Sequence, residues 1–133
     1  MTQPGLGVMI GMLGGNSNSV EAFKRAMGKI IGTVHVDDNN LLFAFEDGTH
    51  LKISDEGQSC CENRYMSCDD DLKDFVGATL MDGELKDGGG ESGEYGEVHE
   101  IQFLDITTSK GVFTVSNHNE HNGYYGGFWI VCE

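Results

Sequence analysis

A chain of 133 residues with 38% hydrophobic content is long enough for one modest core and too short for two ordinary domains. Its formal charge of −14, from 22 acidic and 8 basic residues, repels phosphate backbones and anionic lipid, so broad nucleic-acid or membrane-surface binding is not expected. No apolar run approaches the ~20 residues that span a bilayer, and the apolar stretch at residues 6–13 is glycine-broken and lacks a basic flank, a poor secretory signal.

In chain order, residues 1–28 read as an N-terminal arm followed by one short amphipathic helix. Asn18 is a polar cap with Glu21 three positions on, Val20, Phe23 and Met27 share a face, and Gly28 is the natural stop. The apolar arm suits packing on a partner subunit, so a homo-oligomer is expected. Residues 29–133 read as a single α+β domain, mainly antiparallel sheet built from a meander and a hairpin, with two short helices in the whole chain.

The meander runs through the β-branched stretch 30–36, a turn at 37–40, the strand 41–45, the Asp47-Gly48 hairpin signal and the strand 49–54. Aspartates 69–71 cap a second short helix that ends at Gly77. Residues 78–86 form a strand, and the glycine-rich residues 87–97 have the composition of a mobile surface loop. Residues 98–108 and 112–116 form a second hairpin across Ser109-Lys110-Gly111, and residues 128–132 make a last apolar strand.

Two stretches stand apart. Residues 60–68 hold Cys60, Cys61 and Cys68 with Arg64 and Tyr65 between them; residues 117–128 hold two histidines, three asparagines, two tyrosines and three glycines. The second is too polar for a core strand and too aromatic for an ordinary loop. Three chemistries suit these residue types. A metal site from the cysteines with His118 and His121 lacks any Cys-x-x-Cys spacing, so no metal or cofactor is expected. A cysteine–histidine nucleophile pair matches no known hydrolase motif, so no catalytic residue is assigned. Ligand binding without chemistry fits best. Tyr65, Tyr124, Tyr125 and Phe128 offer faces for stacking on a planar base, Asn117, Asn119 and Asn122 can read its polar edge with His118 and His121, and Arg64 and Lys110 are the phosphate partners. The cysteines, Cys132 included, are expected to be reduced and largely buried, as in a reducing cytoplasm.

The runs Cys60-Cys61-Glu62-Asn63-Arg64-Tyr65-Met66, Asp69-Asp70-Asp71-Leu72, Phe75-Val76-Gly77-Ala78 and His118-Asn119-Glu120-His121-Asn122-Gly123-Tyr124-Tyr125-Gly126-Gly127-Phe128 resemble a family of uncharacterised small phage and prophage proteins over residues 29–132. That resemblance implies a phage origin, a stand-alone domain and the cytoplasm of an infected bacterial host. The adjacent cysteines with an acid, the short Asp-Leu helix and the Asn-Gly-Tyr-Tyr ending are also similar to phage Thoeris anti-defence sponges, which sequester cyclic ADP-ribose-type signals. The expected function is therefore a non-enzymatic, counter-defence binding protein for a nucleotide-derived signal. Two alternatives stand behind it. One is an acidic, DNA-mimic-like inhibitor of a host defence nuclease or CRISPR complex; the other is an accessory virion protein.

Overall fold

The computed structural model describes residues 17–56, 62–92, 98–121, 128 and 130–133. The predicted arm, Cys60, Cys61, Asn122, Tyr124 and Tyr125 lie outside them. The described elements are helix α1 (Ser17–Ala26) and strands β1 (Ile31–Asp37), β2 (Asn40–Phe45), β3 (His50–Asp55), β4 (Glu62–Ser67), β5 (Leu80–Ser92), β6 (Val98–Thr108), β7 (Gly111–His121) and β8 (Ile130–Cys132). They form two antiparallel four-stranded sheets, ordered β1-β2-β3-β8 and β4-β7-β6-β5.

Strand alternation explains the core. Leu41, Phe43 and Phe45 on β2 with Leu51 and Ile53 on β3 point to one side of the first sheet. Leu104 and Ile106 on β6 with Phe113 and Val115 on β7 point to one side of the second. These faces meet in a single core in which the Phe43 and Phe113 rings lie 6.3 Å apart, each buried side chain contributing about 1.5–3 kcal/mol. Helix α1 buries Ala22, Phe23 and Ala26 against it, and Ser19 Oγ accepts the Cys132 N–H at 3.0 Å, tying the helix to β8. The two sheets are joined at one corner, where Ile30 bridges Thr79 and the Gly77 N–H donates to Ile31 O at 2.8 Å.

The meander and the second hairpin follow the sequence reading. Three details differ. The second predicted helix is a single 3-10 turn, Leu72–Phe75, capped by the Asp71 side chain, so the fold is close to all-β. Residues 87–92, expected as loop, extend β5 past a bulge between Asp87 and Gly90. Glycine is needed there by close approach, because a Cβ at Gly88 would sit 2.8 Å from Ile101 O and 2.9 Å from Phe103 Cε2. Residues 117–121, expected to be too polar for a core strand, are the second half of the central strand β7, and Asn117 and Asn119 are fully buried.

Candidate functional site

Alternation along β4 and β7 separates the residues that sequence reasoning grouped. Arg64, Asn117, Asn119 and His121 face the interior between the sheets, whereas Tyr65 and His118 face outward. Lys110 sits at the β6–β7 turn, ~23 Å along the strand from Asn117 at ~3.3 Å per residue, and its Nζ donates to Val76 O at 2.8 Å.

The interior group is held together by Asp55, the last residue of β3. Arg64 Nη1 donates to both Asp55 carboxylate oxygens at 2.8 Å, and Asn117 Nδ2 donates to Oδ2 at 3.1 Å. With Asp55 fully buried and Arg64 6% exposed, this is a clamp between the sheets. The Arg64 charge is committed to Asp55 rather than turned toward a phosphate. Nearby, His121 Nε2 lies 2.6 Å from Glu100 Oε1. Among the described residues, the buried oxygens Gln102 Oε1 and Asn117 Oδ1 have no hydrogen-bond partner.

The outward group is a hydrogen-bonded network. Tyr65 stacks on His118 with centroids 4.5 Å apart and rings 11° from parallel, and its hydroxyl donates to Glu120. That bond first, and burial second, push the Tyr65 pKa up to about 12. His118 lies 2.9 Å from both Ser67 Oγ and His99 Nε2, through opposite ring nitrogens.

Two cavities lined by described residues lie elsewhere, one at the helix-side end of the first sheet and one over its outer face. One, of about 280 Å³, is lined by Ala22, Arg25, Ala26 and Lys29 of the helix region with Phe45, Thr49, His50 and Glu133. Ala22 and Ala26 fall one helical turn apart, and their small side chains leave the space beside the sheet. The second, of about 210 Å³, shares His50 and Glu133 and continues over the sheet face, where the rows Thr33–Ala44–His50 and His35–Leu42–Lys52 stand side by side. The two cavities adjoin at His50 and Glu133, and we refer to them together as the trough; Leu42 and Ala44 give its outer-face part an apolar floor beneath polar residues.

Its electrostatics differ from those of the chain as a whole. Lys29 Nζ pairs with Asp47 at 3.1 Å, donates to Thr49 Oγ1 at 2.8 Å and lies 6.0 Å from the Phe45 ring centroid. Lys52 pairs with Glu133 at 2.8 Å, which raises its pKa. Arg25 stands on the wall with no ion pair among the described residues. Arg25, Lys29 and Lys52 thus border the trough with one carboxylate, Glu133, and two histidines, in a chain where acids outnumber bases 22 to 8. Sequence reasoning missed this site. Arg25 and Lys29 do stand at the i, i+4 spacing, as do Ala22 and Ala26, and the Asp47-Gly48 turn fixes which residues of β2 and β3 share the outer face.

The described residues include no group of three His, Cys, Asp or Glu side chains able to hold a metal ion. Their free thiols, Cys68 and Cys132, are half-buried and buried, and burial pushes the Cys132 pKa up to about 12. No helix among the described residues is long and apolar enough to cross a membrane. Comparison with curated proteins and with solved structures found no match. A family model does match residues 24–131, and the chain therefore belongs to the family described as a domain of unknown function, DUF7448.

Proposed function

We propose that the protein is a binding protein of phage origin whose trough sequesters, without turning it over, a small, phosphate-bearing, nucleotide-derived ligand and so blunts host defence. One observation carries the reading: in a strongly acidic chain, Arg25, Lys29 and Lys52 converge on a trough with an apolar floor. Cations at the rim suit a phosphate, and Leu42 and Ala44 on the outer face suit the body of a base or ribose. Binding without turnover is favoured because the hydroxyl nearest the cations, Thr49 Oγ1, is held between Lys29 and Asp47, and hydrogen bonds from Thr49 lower the Asp47 pKa to about 2, which leaves that carboxylate a weak base.

Thermal melting against a panel of cyclic nucleotides and cyclic ADP-ribose isomers tests this. A ligand at ~100 times its Kd adds about 2.7 kcal/mol of stability, and the double substitution Arg25→Ala, Lys29→Ala should remove that gain while the unliganded melt stays cooperative. A flat panel from a well-folded protein would overturn the reading in favour of an acidic inhibitor directed at a host protein.

A further inference from the structure

Neither the trough nor the interior clamp uses the network on the outer face of the second sheet. Ser67 closes β4, His118 lies on β7 and His99 on β6, so three neighbouring strands present one residue each. Ser67 Oγ lies 2.9 Å from His118 Nε2, and His118 Nδ1 lies 2.9 Å from His99 Nε2. A hydroxyl, an imidazole and a second polar group that orients that imidazole, in series, are the geometric signature of an activated nucleophile. Both contacts can be made with either His118 tautomer, and one of the two suits a base. In that one, His118 carries its proton on Nδ1 and donates it to His99 Nε2, which leaves His118 Nε2 free to accept from Ser67. Tyr65 stacks on the His118 ring and is anchored through Glu120, so the imidazole is held in plane as well as by its edges.

We propose that Ser67, His118 and His99 form an acyl-transfer site for esters with small apolar acyl groups. Ser67 Oγ attacks the ester carbonyl carbon as its proton passes to His118 Nε2. The tetrahedral intermediate collapses, the C–O bond to the alcohol breaks, and the leaving oxygen takes the proton from His118. Water then repeats the sequence on the acyl-serine, and the products are a carboxylic acid and an alcohol. His99 touches neither reacting atom and is a positioning residue. The apolar acyl preference follows from the neighbours on the same face: Ile101 stands opposite His118 and Phe103 opposite Ser116, both half-buried, beside the serine.

The state of His118 agrees with this role. Burial, and then the charge of His99, hold its pKa below the ordinary imidazole value, against an opposing pull from Glu120. A base must be unprotonated to act, and His118 is so at neutral pH. The groups facing it are Tyr65 and Ser67 from β4, His99 from β6, and Glu120 on its own strand.

The test is labelling of the full chain with a fluorophosphonate probe, mapped by peptide mass spectrometry, together with release of p-nitrophenol from p-nitrophenyl acetate. Ser67 should be the labelled residue, and Ser67→Ala should remove both signals. His118→Phe keeps a ring to stack on Tyr65 and should slow labelling by ~100-fold, the usual worth of a positioned base. The labelling rate should rise with pH and reach half its plateau below pH ~6.5. His99→Gln, whose amide oxygen can accept from Nδ1, should keep much of the rate, whereas His99→Ala should lose it and move the midpoint upward. The proposal fails if the folded protein is unlabelled at Ser67, if His118→Phe labels as fast as the parent, or if neither His99 variant alters rate or midpoint.

Discussion

The β6–β7 hairpin turns two regions of opposite chemistry toward the interior. Near its turn, the interior face is Leu104, Ile106, Phe113 and Val115. Toward its open end, the same face of the same strands is Gln102, Glu100, Asn117, Asn119 and His121, joined across the sheets by Asp55 and Arg64. The first half is stabilised by removing apolar area from water, which needs shape but not direction. The second half buries groups that are costly unless each is paired, so its stability depends on a few directed bonds. A non-directional core tolerates small shifts; a clamp of this kind specifies which sheet faces which.

The comparison can be broken most sharply at the clamp. Asp55→Ala leaves the Arg64 charge buried without its carboxylate and should cost about 3–5 kcal/mol in urea unfolding. Adding Arg64→Met to that variant should recover most of the loss; a double variant no better than the single one would show that the pair is not coupled in this way. In the apolar half, Phe113→Ala should cost about 3–5 kcal/mol through lost transfer energy and a residual cavity, and no second substitution at a polar residue should rescue it.

Smaller effects sharpen the contrast. Asn117→Ala removes a hydrogen bond to a charged acceptor and should cost about 1.5–3 kcal/mol, measured by the same unfolding curves. Gly88→Ala should cost about 1–3 kcal/mol, because the Cβ meets backbone at Ile101 O rather than a side chain that can move aside. Smallest is a pH effect outside both halves. Hydrogen bonds from Thr49, side chain and then backbone, lower the Asp47 pKa to about 2. A carboxylate depressed in the folded state stabilises above its unfolded pKa and loses that contribution as pH falls through the folded value. The parent should therefore lose stability between pH ~4 and ~2 at this site, and Asp47→Asn should flatten that part of the curve.

Much of the fold is legible in the sequence because its signals are local. The Asp47-Gly48 turn sets the β2–β3 register, the alternation of Leu41, Phe43 and Phe45 marks the buried face of β2, and Ser109-Lys110-Gly111 locates the second hairpin. Gly28 ends the helix because its φ of 86° is open to glycine without strain. Composition alone also sets the strong acidic balance, a net charge of −14.

What the tertiary structure decided is which of these residues meet. Arg64 and Asn117 read as a ligand's phosphate and base partners because nothing local shows that Asp55, on a different sheet, lies within 3.1 Å of both. Polarity likewise makes residues 117–121 read as a recognition stretch rather than a core strand, since a buried asparagine is stable only when partners distant in sequence supply its hydrogen bonds. The trough followed the same logic: Arg25 and Lys29 lie before the sheet in sequence, and only the packing of the helix region brings them beside Phe45 and His50. Local periodicity determines strands and turns; contacts between residues distant in sequence decide the clamp, the outer network and the trough, and those depend on the folded chain.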